Sequence, residues 1–133
     1  MKTKHIVGGL AASLILAQAV FAAPHTPKVG SPERTQLMNS LRPSLGNGKK
    51  KAIITPQHFK VENGWAYIAG SFQYADGTNP GEDYLGGSFS ALLRKEGKTW
   101  RVKKRTYNGD VIEPEFREAF PQAPQAIFTR AGM

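Results

Sequence analysis

Three basic residues at alternate positions of one predicted strand form the most concrete candidate site in the sequence. Arg101, Lys103 and Arg105 fall two residues apart, so we expect their side chains to point to the same face of a sheet. Tyr107 continues this alternation and offers a ring for stacking on a base or a sugar. Such a row could bind successive phosphate or sulfate groups. The alternative is a solvated strand whose lysines prevent edge-to-edge aggregation.

His58 is the one histidine well inside the predicted domain, near a proline that marks a bulge. It could act as a general base with Asp83 or Asp110 as its partner, and Tyr67 completes the set from which an acid–base pair could be drawn. The alternative is a surface or hydrogen-bonded strand histidine. Because no second histidine and no nucleophile motif accompanies it, the sequence predicts no catalytic residue.

Acidic residues gather in the long predicted loop Ala75–Gly87, at Asp76, Glu82 and Asp83. Carboxylates beside glycines and an asparagine could bind calcium, but this spacing matches no calcium loop. The chain has no cysteine, which excludes zinc sites with thiolate ligands. We therefore predict neither a metal site nor a cofactor.

Four strands must position these side chains. The predicted strands are Lys51–Val61, Trp65–Tyr74, Ser88–Lys95 and Thr99–Tyr107. Asn63-Gly64 is a strong hairpin signal because both residues tolerate a positive φ, and Pro56 marks a bulge or an edge position. In the fourth strand Trp100 and Val102 alternate with the basic row, so one sheet face is predicted to be covered and the other to be locally exposed to water.

Two helices are predicted to flank the strands. Ser31-Pro32 begins the first, because serine caps free N–H groups and proline fits the first turn. Apolar residues then recur at helical spacing, at Leu37, Met38, Leu41 and Leu45. Pro43 is expected to end or kink this helix at the preceding residue. The second helix covers Glu113–Phe120, and the apolar tail Ala123–Phe128 is predicted to dock on the sheet as an extended segment.

Residues 1–22 are predicted to be a secretory signal peptide. A short basic start precedes the apolar run Ile6–Leu16, which is shorter than the roughly 20 apolar residues of a membrane-spanning helix. Val20 and Ala22 are residues that suit cleavage after Ala22. We therefore expect a periplasmic or extracellular protein that keeps no transmembrane anchor after cleavage.

The mature chain is predicted to consist of a flexible lead-in, residues 23–30, and one domain, residues 31–133. Sixteen basic and ten acidic residues remain after Lys2 and Lys4 are removed, which gives a net charge of +6. This charge favours an acidic protein or an anionic envelope component as partner, or else serves solubility alone. Nucleic acid is not indicated, since the sequence has no phosphate loop, RNA-binding aromatic signature or DNA-binding helix pair.

The chain resembles a group of small secreted bacterial proteins in a set of short motifs. These are Gly64–Tyr67, Ala91–Lys95, Trp100–Val102, Gly109–Val111, and an ending formed by Pro124 with Ile127-Phe128. The resemblance implies an envelope location and the fold of that group. It implies no catalytic residue, because the motifs are of structural types: tryptophans and leucines for a sheet core, and glycines for turns.

The element order predicts an α+β fold, in which an N-terminal helix packs on a four-stranded antiparallel meander and a short C-terminal helix follows. Cystatin-like domains and the core of NTF2-like domains have this arrangement. The function that fits best is a non-catalytic binding or accessory domain. One alternative is an NTF2-like enzyme with a pocket between helix and sheet, and another is an inhibitor-like module whose loops plug a partner's cleft. A polar pocket containing His58 would indicate the enzyme, and a filled core would indicate binding.

Overall fold

One antiparallel sheet with helices packed against it forms the structure, a computed structural model that describes residues 23–107 and 113–129. Its main elements are helix α1 (Pro32–Leu41), strands β1 (Ala52–Glu62), β2 (Trp65–Tyr74), β3 (Ser88–Glu96) and β4 (Thr99–Tyr107), and helix α2 (Glu113–Ala119). The strands are hydrogen-bonded in the order β1-β2-β3-β4, and neighbouring strands run antiparallel. The predicted α+β class is therefore confirmed.

Helix α1 begins at the predicted cap. Ser31 Oγ accepts a hydrogen bond from a backbone N–H of the first turn (3.2 Å), and Pro32 follows it. Arg42 retains right-handed helical geometry although Pro43 follows it, because the chain tightens into a 3₁₀ helix over Arg42–Ser44. The regular helix thus ends where the sequence indicates, but the change is to a tighter helix and not to extended chain.

The β1–β2 hairpin has the predicted turn and the predicted bulge. Asn63 and Gly64 adopt φ values of 50° and 77°, which is the geometry of a tight hairpin turn. The register shifts between Pro56 and His58, opposite Gly70. A side chain at Gly70 would collide with a carbonyl oxygen of the bulge, so the bulge requires glycine there.

The first core lies between helix α1 and the sheet. Leu37, Leu41 and Leu45 have no exposed surface. They pack in one cluster with the buried sheet residues Ala52, Phe59, Val61, Ala66, Ile68, Phe72, Tyr74, Phe89, Ala91, Leu93 and Trp100. Burial of each large apolar side chain stabilises the fold by about 1.5–3 kcal/mol. The space between helix and sheet is therefore filled by side chains.

The opposite face of the sheet is largely covered as well, so the predicted exposure to water is limited to a local part of this face. This second core contains Trp65, Tyr67, Ala69 and Leu92 from the sheet, and Phe116, Ala123, Ile127 and Phe128 from the C-terminal segment. Water reaches this face only locally, as at Arg101 on β4. Burial on both faces explains why β2 shows a continuous buried run at its start where a one-sided strand would alternate.

The C-terminal tail docks on the sheet as a turn, which corrects the predicted extended segment. Gln125–Phe128 forms a 3₁₀ helix. In an extended chain, neighbouring side chains point to opposite sides, so only one of Ile127 and Phe128 would reach the sheet. The turn allows both to enter the second core, where their exposed fractions are 0% and 1%.

The segment predicted as a flexible lead-in lies against the outer edge of β1. His25 and Val61 exchange two backbone hydrogen bonds (3.0 and 2.8 Å). Thr26 Oγ1 donates to Phe59 O (2.8 Å). These contacts shield part of an edge strand that would otherwise present unpaired backbone groups.

Two predictions concern residues outside those that the structure describes. They are the signal peptide at residues 1–22 and the turn that contains Asp110. Among residues 23–107 and 113–129, no helix is both long enough and apolar enough to cross a membrane.

Candidate functional site

A β-bulge divides the predicted basic row on β4. Leu93 pairs with Val102, but Leu92 pairs with Lys104, which leaves Lys103 as an extra residue. An extra residue reverses the alternation of side chains beyond it. The predicted common face therefore ends at the bulge.

Arg105 and Tyr107 lie beyond the bulge, on the side of the sheet that faces helix α1, so the expectation that they share a face with Arg101 is wrong. Arg105 Nε donates to Ser44 O (2.9 Å), and its guanidinium carbon lies 4.2 Å from the centre of the Tyr107 ring. Tyr107 OH accepts a hydrogen bond from Gly46 N (2.8 Å), and its ring packs on the first core. Both side chains therefore connect the loop after α1 to β4 by hydrogen bonds.

Arg101 and Lys103 stay together at the hairpin that joins β3 to β4. Both bind the carboxylate of Glu96, with N···O distances of 3.2 Å from Arg101 Nε and 3.1 Å from Lys103 Nζ. Arg94 and Lys98 belong to the same hairpin. We call Arg94, Lys98, Arg101 and Lys103 the hairpin patch. It carries four positive charges next to the one carboxylate of the hairpin, so an excess of positive charge faces solvent.

Two arginines face each other directly across this hairpin. Arg94 is the partner of Arg101 in the β3–β4 register. Directly opposite residues have Cβ atoms about 4.5–5.5 Å apart, and like charges at this spacing are destabilising. The Arg94 guanidinium lies 4.9 Å from the centre of the Trp65 ring, and Arg101 is held by Glu96. Each guanidinium therefore has a partner within the protein, that of Arg94 on β2 and that of Arg101 near the turn of the hairpin.

Sequence reasoning missed Arg94 as a member of this site, although a signal was present. The turn at Gly97-Lys98 fixes the register of the hairpin. Counting back from that turn along both strands places Arg94 opposite Arg101. The alternation along β4 alone does not reveal this pair, because it lies across two strands.

His58 is a buried, hydrogen-bonded strand histidine, which is the alternative that the sequence left open. Its Nε2 donates to Ile127 O (2.6 Å), and its ring meets the ring of Tyr67 edge-on at 5.4 Å between centroids. It is 6% exposed and borders a cleft of about 400 Å³ that Arg34 and Lys60 also line. The described residues that line this cleft include no carboxylate.

The structure describes one of the two acids considered as partners of His58. Asp83 lies in the turn Glu82–Gly87, whose Tyr84 packs on the first core, across the sheet from His58. Asp110 lies outside the described residues. Within residues 23–107 and 113–129, no group of three or more His, Cys, Asp or Glu residues is placed to hold a metal ion.

No protein-family model, no curated protein and no solved structure matches this chain. The hairpin patch, the two filled cores and the enclosed position of His58 are therefore the observations that bear on its function.

Asp76 closes a turn in the loop after β2. Its pKa is lowered from the usual 3.8 to about 2, chiefly because Thr78 Oγ1 and Thr78 N donate hydrogen bonds to Asp76 Oδ1 (2.6 and 2.9 Å). Lys50 Nζ contributes less, at 3.1 Å from Asp76 Oδ2. Because the folded pKa is lowered, the stabilisation by Asp76 is complete above its usual pKa and is lost as pH falls through about 2.

We expect Thr78→Val to raise the pKa of the Asp76 carboxyl, because the change removes the hydroxyl donor and keeps the backbone N–H. Carbon-detected NMR of the Asp76 carboxyl, followed as pH is lowered, measures the titration midpoint of this group in wild type and in Thr78→Val. Lys50→Gln should raise the pKa by a smaller amount, since Lys50 is a lesser cause. A wild-type midpoint at 3.8, or the same midpoint in wild type and Thr78→Val, would contradict this assignment.

Proposed function

We propose that this chain is an exported, non-catalytic binding domain that recognises an acidic protein or an anionic envelope component through the hairpin patch. One observation carries the proposal: Arg94 and Arg101 occupy directly opposite positions on an exposed hairpin, next to Lys103, so that several positive charges lie on one small surface. A pair of like charges at this spacing costs stability. An anion bound near both guanidinium groups would offset that cost, because each guanidinium group would then be attracted to the anion.

The filled core favours a binding domain over the NTF2-like enzyme. An enzyme of that kind needs a pocket between the helix and the sheet, and Leu37, Leu41 and Leu45 occupy this space with no exposed surface. His58, which would supply the base, is 6% exposed and donates to a backbone carbonyl. General acid–base catalysis requires access to a substrate proton, and an exposure of 6% leaves little of His58 accessible for it.

We also propose that the fold is cystatin-like and that the chain belongs with the small secreted proteins that its motifs resemble. Support for this comes from the element order, one long helix followed by a four-stranded meander. The motif tryptophans Trp65 and Trp100 are each 5% exposed, in agreement with a structural role for those motifs.

The proposed export leads to a separate prediction about the first residue of the mature protein. Because Val20 and Ala22 suit signal peptidase, the exported product is expected to begin at Ala23. Intact-mass spectrometry of protein recovered from the periplasm or the medium measures this. Exported material that keeps Met1 would contradict the assignment of residues 1–22 as a cleaved signal peptide.

The proposed binding function is tested with a soluble sulfated polymer, heparin, as probe. Lys98, Arg101 and Lys103 are changed together to glutamine, and we call the product the hairpin variant. Arg94 is left in place because it packs on Trp65. Arg105 is left in place because it donates a hydrogen bond to Ser44 O. We expect wild type to be retained on immobilised heparin and the hairpin variant to elute at lower salt. Equal elution of the two proteins would overturn the proposal.

A further inference from the structure

A second basic site lies at the opposite end of the sheet from the hairpin patch. A cleft of about 390 Å³ opens there between the end of helix α1 and the segment that leads into β1. Asn39, Arg42 and Pro43 line one wall, and Gly48–Lys51 lines the other. The strands between the two sites have 9 to 11 residues, which corresponds to roughly 30 Å. One small ligand therefore cannot contact both sites.

Arg42 is held in position at this cleft by two hydrogen bonds. Its Nε donates to Ala52 O (2.8 Å), and its Nη1 donates to Asn39 Oδ1 (2.6 Å). A guanidinium has five N–H donors in a fixed plane, so these bonds orient the remaining donors without using all of them. Little conformational entropy is then lost when a ligand binds, which favours affinity.

The opposite wall is a loop whose backbone is fixed. Asn47 Oδ1 accepts hydrogen bonds from Lys49 N (2.8 Å) and Lys50 N (3.1 Å). Gly48 has a φ of 75°, a conformation that glycine adopts without strain. Tyr74 OH accepts a further bond from Asn47 N (3.3 Å), which ties the loop to the end of β2. The three lysines therefore project from a defined backbone.

The charges at the cleft are not balanced. Lys50 pairs with Asp76 (3.1 Å) and lies over the ring of Tyr74, so its charge is compensated. Arg42, Lys49 and Lys51 form no ion pair with any carboxylate in the described part of the chain. Three uncompensated positive charges thus surround one small cleft.

We propose that this cleft binds a phosphate or sulfate ester, with Arg42 as the oriented donor and Lys49 and Lys51 as the flexible cations that close around the anion. A planar guanidinium suits two oxygens of such a group, and lysines act as point charges on the others. The cleft volume is at the lower end of the range for small-molecule sites, about 300–1,000 Å³. The cleft therefore accommodates the phosphate or sulfate group and only a small part of the molecule that carries it.

Inorganic phosphate is the probe for this site, added to the ¹⁵N-labelled mature protein with sodium chloride adjusted to keep ionic strength constant. We expect saturable NMR shifts at the amides of Gly48–Lys51 and at the Arg42 Nε–H. The variant with Lys49→Gln and Lys51→Gln should bind about tenfold more weakly or worse, since each lost charge-assisted contact is worth about that factor. Its fold should be unchanged, because both side chains are exposed and bond to nothing in the described part of the chain.

A matched control removes the same charge at the other end of the sheet, by Lys95→Gln and Lys98→Gln. It should bind phosphate as wild type does. Unsaturable shifts, no shifts at the amides of the cleft, or equal weakening of binding at the cleft in the two double variants would overturn the proposal. Because heparin binding at the hairpin patch is measured with another probe and other variants, either proposal can fail alone.

The source of the phosphate group is distinguished by two further probes. Vesicles of phosphatidylcholine with and without phosphatidylglycerol represent a lipid surface, and glycerol phosphate represents a soluble ester. Sedimentation with the phosphatidylglycerol vesicles that depends on Lys49 and Lys51 supports a lipid headgroup. Binding of glycerol phosphate without sedimentation supports a soluble or glycan-linked ester. The site is contradicted if the protein neither sediments with these vesicles nor binds glycerol phosphate, and also shows no saturable binding of inorganic phosphate.

Discussion

Replacement of Trp100 by alanine is expected to lower the free energy of unfolding by about 3–5 kcal/mol. The indole is 5% exposed and belongs to the cluster that joins helix α1 to the sheet. Removing it takes away its transfer free energy and leaves a cavity that its rigid neighbours fill incompletely. Domains of this size have a total stability of about 5–15 kcal/mol, so the variant loses a large share of it.

Urea unfolding followed by far-UV circular dichroism measures this change, with Ile53→Ala as the control. Ile53 is 47% exposed on the same sheet, so its replacement should shift stability by about 0.5 kcal/mol or little more. A loss below about 1 kcal/mol for Trp100→Ala would contradict the described packing. Removal of a buried indole must lower the stability by more than the replacement of an exposed side chain does.

The hairpin variant is expected to bind heparin on the order of a hundredfold more weakly than wild type near physiological salt. Heparin, like DNA, is a linear polyanion with condensed counterions, and each protein cation that neutralises one of its charges releases counterions. Three such cations are lost in the variant. The slope of log K against log salt should therefore become shallower by about 2 to 3.

Stability should change little in the hairpin variant. Arg101 is 67% and Lys103 34% exposed in their side chains, and exposed ion pairs contribute only about 0–1 kcal/mol. Loss of Arg101 also removes the repulsion with Arg94. A variant that binds poorly because it is unfolded would be recognised by its circular dichroism spectrum, so a loss of affinity with an unchanged spectrum reports on the surface itself.

Local backbone chemistry is what the sequence predicts well. Ser31 caps α1, Asn63-Gly64 turns the first hairpin, and the β1 bulge falls at Pro56. In each case the residue type determines its own φ or its own hydrogen bond, so the prediction needs no knowledge of distant contacts. The bounds of β2 and β4 follow in the same way, from turns at their ends.

The bulge at Lys103 could not be predicted, because it depends on what lies opposite. Trp100 and Tyr107 are an odd number of positions apart, and regular alternation would place them on opposite faces. Both pack on the first core, so the strand must contain an extra residue between them. The tertiary packing of two aromatic rings thus overrides the local alternation, and it moves Arg105 away from Arg101.

The covering of the second sheet face also depends on distant residues. Trp65 and Trp100 both lie near the start of a strand and both are buried, yet they belong to opposite cores. The second core exists only because Phe116, Ile127 and Phe128 return to the sheet from the end of the chain. A pattern read along one strand does not show which later segment will cover it.

The central claim, that the position of the charges and not their number gives binding, is tested most directly by comparing two variants of equal net charge. One is the hairpin variant; in the other, Lys28, Lys60 and Arg117, which lie on other elements, are changed to glutamine. The measurement is the dissociation constant for heparin of both proteins at one salt concentration. The hairpin patch predicts that the hairpin variant binds at least about tenfold more weakly than the other, since only it loses cations that contact the polymer together. Equal dissociation constants for the two variants would contradict the claim.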